Sequence, residues 1–192
     1  RLESPYQPAE ALRWDARIDY RHGLLLKIRG ALVPALELTE RALERATRGG
    51  AMEEIPAMCA LLAFLHRRSR RPEASREVAR KGLRVCRTLP RRGERWREDI
   101  AQLLFGVAAS RYAERRFVSA ERLYRQAFRT ITEAEAPHLA GVALNGIAVS
   151  RVEQGDLRGT REMLFRSLRA KERAGDLHQI AVAYSNLADV EL

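Results

Sequence analysis

Apolar and polar residues follow one another along this chain with the spacing of amphipathic α-helices. Between its two Gly-Asp-Leu tripeptides, Leu157, Leu164 and Leu168 recur at helical spacing among Arg and Glu residues. The pattern predicts one helix there and eight similar ones elsewhere, and no stretch of the sequence has the alternation of a strand. The predicted helices span 8–29, 31–48, 52–68, 72–88, 95–114, 117–134, 137–154, 157–174 and 177–191.

The repeated tripeptide has the residues of a helix end followed by a helix start. Gly155 and Gly175 suit the left-handed conformation that often follows the last turn of a helix. Asp156 and Asp176 come directly after them, and an Asp side chain can cap the next helix. Twenty residues from one tripeptide to the next are therefore half of a helix-turn-helix unit.

Small residues confirm a period of about forty residues. They recur at intervals of 40 residues, with a single interval of 45 that places an insertion of five residues in "TLPRRGER". The first set is Gly23, Ala63, Ala108, Ala148 and Ala188. The second set is Ala35, Ser75, Ala120 and Thr160. A third set pairs a small with a large residue, at Ala42-Leu43, Gly82-Leu83, Ala127-Phe128 and Ser167-Leu168.

Small residues at one site per helix allow two helices to approach closely, and no single helix pair can bury its apolar face alone. The sequence therefore predicts an all-α protein, a right-handed α-solenoid of stacked antiparallel helix pairs. We expect one solenoid over residues 1–192. Its repeats are 16–55, 56–100 with the insertion near 89–95, 101–140, 141–180 and a half-repeat 181–192.

These sets of residues resemble the tetratricopeptide repeat (TPR). The similarity lies in the small residues of "LNGIAVSRVEQGD" and "YSNLADVEL" and in the alternating pattern of "SAERLYRQAF". The last pair is similar to the forty-residue TPR variety of bacterial regulatory ATPases, transcriptional regulators and kinase-linked sensors. The chain departs from that pattern at Asp19 and His22, where apolar residues are usual, at Arg70, where a turn Gly is common, and at Gly82, where Ala is usual.

The resemblance implies that the first helix of each pair lines a concave face that binds a peptide or a partner helix. Asn145 is of interest there because an amide both donates and accepts hydrogen bonds. For each position the alternative is a solvated surface side chain. The candidate positions are Tyr20, Lys27, Phe64, Arg67, Phe105, Tyr112, Asn145 and Val149.

Charge adds a second candidate surface. The chain has 35 Lys and Arg against 25 Asp and Glu, a net charge of +10. Residues 67–98 hold thirteen basic and four acidic residues. Within them Arg76, Arg80, Arg84 and Arg87 form a stripe on one helix face. The stripe is either a solvated face, in a chain whose Arg excess reflects a GC-rich genome, or a docking site for an acidic partner or nucleic acid.

The sequence lacks the patterns of catalytic sites. It has no phosphate-binding loop, no GxSxG and no dinucleotide fingerprint, and its four His residues form no ligand pair. We therefore expect no enzyme activity, no cofactor and no metal. Cys59 and Cys86 have no partner spacing, and we expect reduced structural thiols. No apolar run is long enough to span a membrane.

These observations together predict a non-catalytic scaffold that binds a protein or peptide segment. The resemblance implies the interaction or sensor region of a bacterial regulatory protein. Because the sequence opens with Arg1 and lacks an initiator Met, a charged leader and an apolar signal core, we expect a fragment of a longer chain, with the cytoplasm as the default compartment. The alternative is a basic scaffold that docks on nucleic acid or on an acidic partner. Self-association through the terminal helices stays open, because the half-repeat leaves an apolar side uncovered.

Overall fold

The computed structural model describes residues 8–90, 93–175 and 177–191. These residues form α-helices joined by short turns and contain no strand. The predicted all-α class is confirmed. The helices are α1 (Pro8–Ile28), α2 (Leu32–Arg48), α3 (Ile55–Arg68), α4 (Pro72–Thr88), α5 (Gly93–Ala113), α6 (Phe117–Thr130), α7 (Pro137–Val152), α8 (Thr160–Ala174) and α9 (Leu177–Glu191).

The chain divides near residue 91 into two compact units. In the first unit α1 packs on α2, α2 on α3, and α3 on α4. In the second unit α5 packs on α6, and each following helix through α9 packs on the one before it. The predicted insertion lies between α4 and α5, where the two units join. Arg91 and Arg92 of that insertion lie outside the described residues.

The forty-residue period is also present in the backbone of the turns. Four turns that join the helices of a pair each place one residue in the left-handed region, with φ between 56° and 76°. In each of them the next residue's N–H bonds to a carbonyl five residues earlier, as from Arg71 to His66 at 2.9 Å. Arg70 therefore lies at the left-handed turn position where Gly is common in this repeat, as the sequence predicted. The four left-handed residues are Gly30, Arg70, Arg115 and Gly155.

The small residues lie where two helices come close together. A Cβ atom placed on Gly23 would lie 2.6 Å from Thr39 Oγ1 of α2, and one placed on Gly146 would lie 2.6 Å from the Tyr124 ring of α6. The predicted small positions on α1 to α8 are buried. Ala188 is the exception, because no helix in the described part of the chain covers that side of α9.

The start of α8 differs from the prediction. Helix α8 begins at Thr160, after the left-handed Gly159, so Leu157 lies outside the helix and is exposed. Asp156 does not cap α8; its Oδ1 accepts a hydrogen bond from the Arg158 N–H at 3.2 Å, which stabilises the preceding turn. Gly175 ends α8 in the left-handed conformation, as predicted. Asp176 lies outside the described residues.

Two further helix boundaries differ from the predicted ones by three or more residues. Helix α3 begins at Ile55 instead of residue 52, because residues 52–54 form a turn. Helix α6 ends at Thr130 instead of residue 134, because Ile131 is extended, with φ −119° and ψ 161°. The periodicity of apolar residues identifies helices more reliably than it identifies their ends.

An ion cluster around the buried Asp19 joins α1 to α2. Asp19 is only 5% exposed and accepts two hydrogen bonds from Arg41, at 2.7 and 2.8 Å, and one from Arg45 at 2.6 Å. The hydrogen bond from Arg41 is the largest influence that holds the pKa of the Asp19 carboxyl below its ordinary value, and burial opposes it. The polar residue at this usually apolar position is thus accommodated by paired charges. His22, the other unusual residue of this helix, is exposed.

We expect Asp19→Asn to lower the free energy of unfolding at pH 7 by about 1–3 kcal/mol, because it leaves two guanidinium groups without their buried carboxylate. A carboxyl with a lowered folded-state pKa stabilises the fold above its unfolded pKa of about 3.9 and loses that effect as the pH falls through the folded value. The difference between the two proteins should therefore shrink below about pH 4.

Urea unfolding followed by circular dichroism at pH 7 and at pH 3 measures this difference. Asp15→Asn is the matched control, because the Asp15 side chain is 52% exposed and lies 3.9 Å from Arg45. It should change the stability by less than about 0.5 kcal/mol. If the unfolding free energies of the wild type and Asp19→Asn differ by the same amount at both pH values, the Asp19 charge does not stabilise the fold.

Candidate functional site

In the first unit the structure brings the predicted residues of α1 and α3 together around Phe64. Lys27 Nζ lies 4.6 Å from the centroid of the Phe64 ring, and Arg67 Cζ lies 5.4 Å from it. Both distances are within the range of cation–π attraction. The ring is half-buried, as are the two basic side chains. Phe64 therefore presents a partly exposed aromatic surface with two positive charges close to the ring.

The rest of this face supplies an apolar base. Tyr20 and Leu24 of α1 are half-buried and pack, with Phe64, against a core of Ala35, Leu61 and Leu65. The four predicted contact residues of the first unit thus share one face. We define them as the Phe64 cluster, which consists of Tyr20, Lys27, Phe64 and Arg67.

In the second unit Phe105 is a core residue. It is 5% exposed, and its ring centroid lies 6.0 Å from that of Tyr124 on α6. The periodicity of the sequence correctly places Phe105 on the first helix of its pair, but it does not reveal how deeply the ring is buried. Phe105 cannot offer its ring to a partner without a change in the packing of α5 on α6, and it is left out of the contact surface proposed below.

Tyr112 and Val149 lie near the surface of this unit. Both are half-buried. The Tyr112 hydroxyl donates a hydrogen bond to Glu153 Oε1 at 3.0 Å, and its ring lies edge-on to Phe117 at 5.3 Å. Burial, together with the Glu153 carboxylate, raises the pKa of the Tyr112 hydroxyl to about 12. Tyr112 therefore stays protonated at neutral pH and ties the end of α5 to the end of α7.

Asn145 connects three helices of the second unit. Its Oδ1 accepts hydrogen bonds from Asn186 Nδ2 of α9 at 2.8 Å and from Lys171 Nζ of α8 at 3.4 Å. The amide oxygen is thus used within the unit. The residue predicted to bond a partner's backbone serves here to hold α7, α8 and α9 together.

Lys171 is the residue of this group that the sequence analysis did not single out. It is 1% exposed, although Lys is seldom fully buried. The forty-residue period marks Lys171 as unusual, because the equivalent residues of the other repeats are apolar and buried. They are Ala46, Cys86 and Ile131. Gly141 makes room for the Lys171 side chain, because a Cβ atom placed there would lie 2.9 Å from Lys171 Cγ.

The predicted arginine stripe lies on α4. Arg80, Arg84 and Arg87 are exposed and Arg76 is half-buried. The buried residues of α4 lie on another face, which consists of Ser75, Ala79, Gly82 and Cys86. The stripe therefore faces away from the core of the first unit and presents its charges to the solvent.

Metal-ligand groups, membrane spans and reactive cysteines are three features that the described residues can be compared with. They include no group of three His, Cys, Asp or Glu side chains arranged to hold a metal ion. None of the described helices combines the length and the hydropathy of a membrane span. Cys59 and Cys86 are buried thiols, and burial raises the pKa of the Cys59 thiol to about 12. That thiol is neutral at pH 7, whereas a reactive cysteine has a lowered pKa.

No protein-family model matches the sequence, and no curated protein sequence shows significant similarity to it. Solved structures with a similar fold include the apo form of RapI, at 15% identity and a TM-score of 0.65, over 92% of this chain and 48% of RapI. Aspartyl phosphate phosphatase F from Bacillus subtilis is 13% identical, with a TM-score of 0.70, over 96% of this chain and 47% of that one.

A third similar structure is BtubC (BKLC) from P. vanneervenii, at 16% identity and a TM-score of 0.68, over 92% of this chain and 69% of that one. The chain spans about half the length of RapI and of the phosphatase. At such identities the likeness concerns the fold alone. The predicted fold class is confirmed, and this chain has the stacked helical-repeat fold of TPR-like proteins.

Proposed function

We propose that the chain is a non-catalytic scaffold that binds a protein or peptide segment, and that the Phe64 cluster is its main contact surface. The observation that supports this proposal is the partly exposed Phe64 ring, with Lys27 Nζ 4.6 Å and Arg67 Cζ 5.4 Å from its centroid. An aromatic anchor bordered by charged groups is typical of the residues that dominate binding energies.

The chemistry of the Phe64 cluster favours a particular kind of segment. Phe64, Tyr20 and Leu24 offer apolar contact, so an apolar or aromatic side chain of the ligand would lose water there. Lys27 and Arg67 offer positive charge close to the ring. We propose a segment in which an apolar side chain lies next to an Asp or Glu. The second unit has a candidate position of its own, the half-buried Val149, and Tyr112 and Asn145 hold together the helices around it.

The regulatory setting is also a proposal. The intervals of 40, 45 and 40 residues support the forty-residue TPR variety, which led us to expect a larger bacterial regulatory or signalling protein. One structure of similar fold is named as an aspartyl phosphate phosphatase from Bacillus subtilis, a name that refers to phosphorylated aspartate. The two buried thiols, Cys59 and Cys86, are consistent with a reducing compartment such as the cytoplasm. We propose that this chain is the binding part of such a protein.

A displayed peptide library selected on the wild-type protein supplies ligands for a direct test. We expect Phe64→Ala to weaken the selected peptides at least about tenfold, or about 1.4 kcal/mol, because it removes the aromatic anchor. Fluorescence anisotropy with labelled peptides measures the affinity, and circular dichroism checks the helicity.

Phe165→Ala is the matched control for this test. Arg161 lies 5.4 Å from the Phe165 ring on α8, so this pair has the same chemistry as Phe64 with its cations but lies in the second unit. Its replacement should leave the affinity unchanged. Peptides that bind Phe64→Ala as tightly as the wild type would move the site away from the Phe64 cluster.

Docking on nucleic acid is the second candidate function. The observation that favours it is the exposed row of Arg80, Arg84 and Arg87 on α4. Guanidinium groups bind phosphate through paired hydrogen bonds, and such binding weakens steeply with salt. The stripe has no stacking aromatic residue on its own helix, and base recognition usually needs such contacts or a helix in a groove. We therefore propose the peptide-binding function first.

A salt titration distinguishes the two functions. Under the peptide-binding proposal, affinity for double-stranded DNA should be lost near physiological salt and should not depend on sequence, because only charge contributes. Affinity is measured by anisotropy against salt for the wild type and for Arg84→Gln. Two results together would favour nucleic acid as the ligand. The first is sequence-dependent binding that persists at physiological salt. The second is a smaller dependence of log affinity on log salt concentration in Arg84→Gln, by about one phosphate contact.

A further inference from the structure

A cavity lies in the first unit among α2, α3 and α4, and we call it the α2–α4 cavity. Its volume is about 370 Å³, which is at the small end of the range for sites that bind small molecules. Leu43, Leu62 and Val78 give it an apolar interior, with one residue from each helix. The ionisable residues that line it also come one from each helix, and the three that matter here are Glu40, His66 and Lys81.

These three side chains form no hydrogen bond or ion pair with any other described residue. His66 is the most unusual of them, because it is only 7% exposed and its Nδ1 is buried without a partner. Buried polar atoms are nearly always hydrogen-bonded, since an unpaired one costs free energy. Glu44 and Arg48 also border the cavity, but they pair with each other at 3.6 Å. The cavity therefore holds three polar groups that a ligand can satisfy.

The corresponding positions of the second unit carry larger and paired side chains. They lie 85 residues later, because one interval of 40 and one of 45 separate the two sets of helices. Phe128 and Met163 stand there in place of Leu43 and Val78. The three ionisable positions hold Arg in the second unit, and each of these residues forms an ion pair within that unit. They are Arg125, Arg151 and Arg166. The unpaired groups are thus particular to the first unit and are not a property of the repeat.

Glu40 lies at the His66 end of the cavity. Burial lowers the pKa of the His66 imidazole, and the nearby Glu40 carboxylate opposes that effect. The Arg71 charge also lowers this pKa, but Arg71 does not line the cavity. The imidazole is therefore neutral at pH 7 and offers one hydrogen-bond donor and one acceptor, while Glu40 supplies a negative charge at this end.

Lys81 lies towards the other end. Ser75 Oγ donates a hydrogen bond to the Ala63 carbonyl at 2.8 Å, which fixes the position of α4 as it runs back along α3. His66 is three residues beyond Ala63 in one direction, and Lys81 is six residues beyond Ser75 in the other. Nine residues correspond to about 13 Å along a helix. Because side chains lean towards the start of their own helix, His66 and Lys81 extend towards each other. Opposite charges therefore border the two ends of an apolar cavity.

We propose that the α2–α4 cavity binds a small zwitterion with an apolar body, a free peptide of about three apolar residues. The ammonium group of the ligand pairs with Glu40, and its carboxylate pairs with Lys81. Its apolar part covers Leu62, and its amide groups give the His66 imidazole a hydrogen-bond partner. Three extended residues span about 10 Å, which matches the separation of the two charged ends. A segment inside a longer chain lacks the two terminal charges and does not fit in this way.

This cavity is separate from the Phe64 cluster. His66 and Phe64 are two residues apart on α3, and residues at that spacing lie on nearly opposite sides of a helix. The Phe64 cluster is formed by α1 and α3, whereas the cavity is formed by α2, α3 and α4. The cavity is therefore a second site, independent of the proposed function.

The tripeptide Ala-Leu-Ala tests the proposal on the intact protein. Amide NMR spectra of the ¹⁵N-labelled protein, recorded up to about 10 mM peptide, measure the affinity and locate the site. We expect the signals around Leu62 and Val78 to shift. The N-acetylated peptide lacks the ammonium group, and the C-amidated peptide lacks the carboxylate. Each should bind at least about tenfold more weakly, because each leaves one charged group of the protein unpaired.

Charge variants identify the two ends of the site. Glu40→Gln should bind Ala-Leu-Ala and its acetylated form equally, and Lys81→Gln should bind Ala-Leu-Ala and its amidated form equally. Each variant removes the charge that distinguishes the two peptides. Glu37→Gln and Arg80→Gln are the matched controls, because both residues are exposed on the same helices and do not line the cavity. They should retain the wild-type preference for the free peptide.

His66→Leu removes the unpaired nitrogen, so the urea midpoint of the free protein should not fall while the affinity for Ala-Leu-Ala falls at least about fivefold. An unchanged affinity of this variant would overturn the proposal. So would the absence of any shift at about 10 mM peptide, or equal affinity of the three peptides for the wild type. Shifts that centre on Phe64 and vanish in Phe64→Ala would assign the tripeptide to the Phe64 cluster and not to the cavity.

Discussion

The close approach of neighbouring helices at small residues is the constraint on which this structure depends. Each helix is amphipathic, and one pair of helices cannot bury its apolar residues alone. Burial requires that the next helix lie against the first, and Gly23 and Gly146 show how little space remains when it does. The forty-residue period in sequence, in turn geometry and in burial follows from that single requirement.

Among the described residues, one Asp and one Lys occupy buried positions of the repeat, and both have polar partners. Asp19 occupies a position that is apolar in the later repeats and is held by Arg41 and Arg45. Lys171 does the same on α8 and lies within hydrogen-bonding distance of Asn145. Buried charges of this kind require partners at fixed positions. They therefore limit which helix can pack against which, in addition to the apolar contacts that stabilise the stack.

The sequence allowed most of the fold to be predicted, because the period assigns every helix to a place in the stack. It also placed Tyr20, Lys27, Phe64 and Arg67 on one face, since helical spacing determines direction. It did not reveal that Phe105 is in the core, because periodicity gives the side of a helix and not the depth of burial. The start of α8 was missed because Gly159 adds a left-handed residue that propensities do not locate. Lys171 could have been found by comparison with Ala46, Cys86 and Ile131.

The unfolding free energy of Gly146→Ala tests the central constraint most directly. Helix propensity alone would make this variant more stable by about 1 kcal/mol, because Ala is the better helix former. The close contact with the buried Tyr124 ring predicts the opposite sign, a loss of about 1–3 kcal/mol from overpacking. Urea denaturation of the two proteins measures the difference. A variant as stable as the wild type, or more stable, would contradict the account that close packing at small residues determines this fold.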